Sequence, residues 1–158
     1  MSEKHTSSKV GVNAAFLMEI KDDHHQLRQL LINLRRRVEN PTILGHHYQE
    51  YVDELYELCD QLAFHFALEE AFGYFEDALE STPHLHDQSS RLRNQHSRLF
   101  IAARDLADHA AKHRKPTTAE VRHIVNEFRQ FDVALKVHES AEQGLIMAAL
   151  TQDVGVGD

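Results

Sequence analysis

Two short stretches of the chain, HFALEE from His65 and HESAEQ from His138, each set a histidine and a glutamate four residues apart. On a helix that spacing puts both side chains on one face, about one turn apart. His65 and Glu69 can therefore aim at one point, and so can His138 and Glu142. Two further histidines, His24 and His96, complete a doubled pattern in which each half offers a lone histidine on one helix and an HxxxE pair on the next. Imidazole and carboxylate ligands together suit iron, with manganese or zinc as alternatives. Four imidazoles and two carboxylates divide over two ions, with two histidines on each and both Glu69 and Glu142 bridging. A solvent-derived oxo or hydroxo bridge gives a fifth ligand and leaves a sixth position on each ion for a small molecule. The spacing does not say which histidines share an ion.

A single HxxxE is more often an exposed helical pair than a ligand pair, so the elements that carry these residues decide the matter. Four helical segments are predicted, over Ala14 to Glu39, His46 to Glu80, Ser89 to Lys112, and from a cap at Thr117 or Thr118 to Leu150. Their punctuation is Asn40-Pro41, Ser81-Thr82-Pro83 and Pro116. Each segment has an apolar stripe spaced alternately by three and four, the seam of a helix packed at a shallow angle in a bundle. The first stripe is Leu17, Ile20, His24, Leu27, Leu31, Leu34, Val38, and the second is Tyr48, Tyr51, Leu55, Leu58, Leu62, His65, Glu69, Phe72. The third is Leu92, His96, Leu99, Ala103, Leu106, Ala110, and the fourth is Val121, Ile124, Phe128, Phe131, Leu135, His138, Glu142, Leu145, Ala149. The only residues that are neither aliphatic nor aromatic are His24, His65, Glu69, His96, His138 and Glu142, all of metal-ligand type.

In an up-down-up-down arrangement, residues on adjacent helices share a level when the turn lies midway between them. The midpoints between successive members of this set fall near Gly45, Ser81-Thr82 and Thr118, at or beside the predicted turns. The predicted fold is therefore all-α: an up-down-up-down four-helix bundle over residues 14–150 with a di-metal site in its core. Residues 1–13 and 151–158 are predicted to be mobile tails. Two ionised carboxylates in such a core would cost several kcal/mol each if left unpaired, and a pair of cations removes that cost.

Composition bounds the reading. The chain has 158 residues, 42% of them hydrophobic, enough for one domain with a core, and its few glycines and prolines favour long helices. A formal charge of -8 argues against nucleic acid or anionic lipid as a partner. No long apolar run predicts a membrane span, and the opening MSEKHTSSKVGVN lacks the apolar core of a secretion signal. With Cys59 as the single cysteine, cytoplasmic localisation is expected.

Neighbouring residues are read more plainly. His25 lies about 100° around the helix from His24 and is assigned to the surface or to a supporting position. Glu70 and Glu139 fall off the stripe and are read as solvated or as supporting the ligands from outside. Tyr48 and Tyr51 read as core packing, Cys59 as inert, and His46, His47, His84 and His86 as solvated turn residues. Phe66, Leu68 and Phe75 are expected to pack around the layer and restrict ligand access. The run Arg35-Arg36-Arg37 fits the C-terminal end of a helix dipole.

The order H…HxxxE…H…HxxxE, with DDHHQL around His24, HFALEE and HESAEQ, resembles the hemerythrin-like (HHE cation-binding) proteins over Ala14 to Leu150. The resemblance implies an up-down four-helix bundle, a non-haem di-iron centre held by His24, His65, Glu69, His96, His138 and Glu142, and a small ligand such as dioxygen, nitric oxide or peroxide. The chain departs from the family's oxygen carriers. Where they have a further histidine four residues before the one at His96, it has Leu92, and where they end in HxxxxD, it has Gln143. Reversible oxygen transport is therefore not expected, and a more symmetric centre with two accessible metals suits redox chemistry or sensing, with an oxidoreductase that consumes peroxide or nitric oxide as one form. The alternative is an iron- or redox-responsive interaction module without turnover.

Overall fold

The computed structural model describes residues 14–22, 24–73 and 83–156. Among these the chain is all-helical, with no strand. α1 covers residues 14–22 and α2 His25–Glu39; α3 is Pro41–His46, α4 Tyr48–Leu68, α5 Pro83–Ala111 and α6 Thr118–Val156.

Several boundaries differ from those expected, each for a local reason. The first predicted helix is interrupted: α1 is described to residue 22, His24 lies outside any helix, and α2 starts at His25. After Glu39 the expected turn is instead a helical turn, α3. The Asn40 side chain caps it, accepting from the Ile43 N–H at 3.2 Å, and Pro41 sits at the start, where no backbone N–H is needed. Pro83 likewise begins α5 and does not merely end what precedes it, so His84 and His86 lie in the first turns of a helix and not in a loop. α4 passes at Glu69 into a π-helical turn, Glu69–Gly73; such widened turns recur at functional sites. The expected helix up to Glu80, and Phe75 within it, extend beyond the described residues. Thr117 caps α6 in a reciprocal box: its Oγ1 accepts from the Glu120 N–H at 3.1 Å, and Glu120 Oε1 accepts from the Thr117 N–H at 3.0 Å. That helix continues past Leu150 to Val156. The proposed N-terminal tail, 1–13, lies outside the described residues.

The chain forms two compact units. One comprises His25–Phe64 and Ser97–Leu135. Its core is apolar, with Leu34, Tyr51, Leu55, Leu58, Leu62, Leu106, Ile124, Phe128 and Leu135 essentially inaccessible. Two of its polar contacts reach deep: the Tyr48 hydroxyl donates to the Ala110 carbonyl at 2.6 Å, and Arg35 grips the buried Asp132 with contacts of 2.8, 3.0 and 3.1 Å, whereas the buried Tyr51 hydroxyl has no hydrogen-bond partner among the described residues. Arg37 binds Glu54 at 2.8 Å. Arg35 and Arg37 thus have specific carboxylate partners beyond any helix-end effect. Cys59 is buried, and burial pushes its thiol up to about 11, consistent with an inert side chain.

The other unit draws on the described residues of Met1–His24, His65–His96 and Lys136–Asp158. It has an apolar cluster of Ala14, Leu17, Leu85, Leu92, Leu145, Ile146 and Ala149, flanked by Met18, Ala141 and Leu150. It also contains a buried polar layer, described below. No helix among the described residues is long and apolar enough to cross a membrane.

The apolar cluster should behave as a packed core. Leu145→Ala, at a position 0% exposed, is expected to cost roughly 2–5 kcal/mol in urea unfolding. Val137→Ala on the same helix, 65% exposed, should stay within about 0.5 kcal/mol.

Candidate metal centre

Glu69 and Glu142 are 0% and 1% exposed, and His65, His96 and His138 between 2% and 6%. Carboxylates at that depth need compensating charge. Ligand atoms of Glu69, His96, His138 and Glu142 all lie within 4.8 Å of one another. Donors on opposite sides of an ion with bonds of about 2.1 Å stand ~4.2 Å apart, so this set is close enough that it could hold a cation. His65 joins through Glu69, its Nε2 against Glu69 Oε1. The rings of His24 and His65 lie 4.8 Å apart, centre to centre. His24 is half-buried and His25 exposed, so His24 is the more sheltered of the two but is not sealed as the other five residues are.

The elements explain these positions. His138 and Glu142 are one turn apart on α6, and their facing atoms, Nε2 and Oε1, are 3.0 Å apart. His65 is in the last turn of α4, and Glu69 opens the π-helical turn that follows. His96 projects from α5 with its Nε2 3.6 Å from both Glu69 Oε2 and Glu142 Oε1. Glu69 turns one oxygen to His65 and the other to His96.

The outward nitrogens of two rings are fixed by acceptors. His138 Nδ1 meets Gln95 Oε1 at 2.8 Å, and His96 Nδ1 meets Glu70 Oε1 at 3.2 Å. An acceptor there favours a proton on Nδ1 and leaves Nε2 facing the carboxylates, the arrangement a metal ligand would need once any proton on Nε2 is displaced. A bare Nε2 facing a carboxylate oxygen is repulsive unless a proton or a cation lies between them. Phe66 stacks on His96, with ring centres 4.1 Å apart and planes 5° from parallel, and meets His138 edge-on at 5.8 Å. It walls the layer as expected. A cavity of about 360 Å³, lined by Phe16, Glu19, Ile20, His24 and Leu68, opens against the His24 side.

Electrostatics reflect the crowding. Burial opposes charge on His96, but hydrogen bonds to Glu142 and Glu69 outweigh it and push its pKa up to about 9. Burial also works against ionised Glu142, yet hydrogen bonds with Glu69, His138 and His96 and the nearby charge of Lys21 hold its carboxyl well below the usual range. Lys21 and Gln95 were not anticipated. Lys21 follows Leu17 by four residues, so its place beside the buried face of α1 was readable; the polar head on its long stem hid its destination. Glu70, read as either solvated or supporting, meets His96 Nδ1 at 3.2 Å, and His46, His47 and His84 are exposed.

The family description "Hemerythrin HHE cation binding domain" matches residues 16–150. No curated protein and no solved structure matches the chain.

The shifts set a pH signature for chelated protein. The raised value of His96 contributes stability that is full below its ordinary value of 6.5 and is lost as pH rises through about 9. The depressed value of Glu142 contributes stability present above its ordinary 4.5 and lost as pH falls below it. Urea unfolding should therefore show the layer's contribution largest between those two ordinary values, and His96→Gln should flatten the alkaline limb. A cation must displace the His96 proton, so metal affinity measured from pH 6 to 9 should rise with pH.

Proposed function

This chain belongs to the hemerythrin HHE cation-binding family, and from that premise we propose that it is a non-haem di-iron protein that binds or reacts with dioxygen, nitric oxide or peroxide. Its fold in this reading is an up-down-up-down four-helix bundle, and its cofactor is two iron ions with a solvent-derived bridge. His96 and His138, with Glu69 Oε2 and Glu142 Oε1, would hold one ion. His24 and His65, with Glu69 Oε1, would hold the other, and Glu142 would complete the second carboxylate bridge.

The observation that carries this reading is the unequal access to the six residues. Five are nearly sealed from water, whereas His24 is half-buried and borders the cavity formed with Phe16, Glu19, Ile20 and Leu68. Iron held there would supply redox chemistry. The protein's own contribution is to bind, orient and exclude. Glu70 and Gln95 hold the proton on Nδ1 of His96 and His138, keeping Nε2 for ligation. Phe66 stacks on His96 and would shield an ion held there from water on that flank. The cavity, lined mainly by apolar side chains, would admit a diatomic or peroxide-sized molecule to the His24 side. Leu92 is buried in the apolar cluster one turn before His96 and offers no further imidazole. This favours redox chemistry over reversible oxygen transport.

Anaerobic reconstitution with ferrous salt should load about two irons per chain, while Glu69→Ala, lacking the shared carboxylate, should retain at most one. Chelation should lower the melting temperature of the wild type. Oxidation by oxygen or peroxide, followed through the near-ultraviolet oxo-to-iron absorption the family resemblance implies, should slow in Ile20→Trp at unchanged iron content. Iron loading without any response to oxygen, peroxide or nitric oxide would instead favour a stability- or partner-linked iron sensor.

A further inference from the structure

Lys21 is a lysine with only 14% of its side chain exposed and its ammonium inside the buried layer. It donates to Glu142 Oε2 at 3.0 Å and to the Glu139 backbone carbonyl at 3.2 Å. The other oxygen of Glu142, Oε1, faces His138 Nε2 at 3.0 Å and His96 Nε2 at 3.6 Å. The carboxylate is thus divided, with one oxygen toward two imidazoles and the other on a fixed positive charge. Glu69 differs: its two oxygens face His65 and His96. A carboxylate that bridges two cations must give one oxygen to each. An ammonium and a metal cation on the same oxygen repel at a few ångströms and compete for the same lone pairs.

We propose that Lys21 is a positioning residue that stands in for the second cation at Glu142 Oε2. In its absence the two ions would load together; with it they load in order. The first ion goes to His96, His138, Glu69 and Glu142 Oε1. The second binds beside His24 and His65 only as the lysine gives up Oε2. The lysine neutralises Glu142 while the centre is incomplete and weakens the half of the centre that borders the cavity. This inference rests on the two-ion reading above.

The test is anaerobic calorimetric titration of chelated protein with ferrous ion. Wild type should show a tight first step and a weaker second. Lys21→Gln should tighten the second step by about tenfold or more and leave the first within about twofold. Lys21→Arg, which keeps the charge, should retain the wild-type pattern. Wild-type protein gives an independent readout: acetic anhydride labelling followed by mass spectrometry should find Lys21 protected at no ion and one ion per chain, and reactive at two. Equal changes in both steps, no change in either, or labelling of Lys21 that ignores the second ion would overturn the lysine's role. One ion per chain in wild type and Lys21→Gln alike would overturn the two-ion reading, and this inference with it.

Discussion

Two carboxylates with almost no access to water, Glu69 and Glu142, set the terms for the unit that contains them. An ionised carboxylate at that depth is stable only beside compensating charge, and the penalty for leaving it unpaired is several kcal/mol even after the surroundings relax. The molecule surrounds the pair with imidazoles and one ammonium. His96 holds a proton to about pH 9 because two carboxylates face it, and Lys21 sits on the far oxygen of Glu142. These are the responses of a site with a strong appetite for cations. Protons and a lysine satisfy part of it, and a metal ion on the same donors would satisfy it with shorter bonds and more charge.

Around that interaction the remaining structure is arranged asymmetrically. Phe66 lies flat against His96, and the leucine-rich cluster that includes Leu92 and Leu145 occupies the same unit. On the other flank the chain leaves helical geometry at His24, and a cavity meets that residue. The pseudo-symmetric sequence pattern therefore produces two unlike halves. One is sealed and supported by Glu70 and Gln95; the other is open and holds the histidine that sits outside any helix.

Much of this was legible in the residues. The alternation of three and four placed Leu27, Leu31 and Leu34 of α2 and Phe128, Phe131 and Leu135 of α6 inside, and all are buried. It also put His24 rather than His25 on the inner side, and His24 is the less exposed of the two; and it singled out His65, Glu69, His96, His138 and Glu142, all buried, because they interrupt apolar faces. Periodicity is a strong signal where burial enforces it. The break at His24, the short helix after Pro41, the start of α5 at Pro83 and the π-helical turn at Glu69 were not legible. Each depends on local backbone hydrogen bonding that a proline or a loop can resolve in more than one way. Lys21 and Gln95 were missed for a different reason: long polar side chains beside an apolar stripe look solvated until tertiary packing shows where their heads go.

The central claim is that the buried Glu69 and Glu142 layer is a two-cation site. Diffraction from ferrous-loaded crystals above and below the iron absorption edge tests it most directly. Two anomalous peaks are predicted, one among Glu69, His96, His138 and Glu142 and one beside His24 and His65. An empty layer in iron-saturated crystals, or iron found only on exposed histidines such as His46 and His47, would contradict the account.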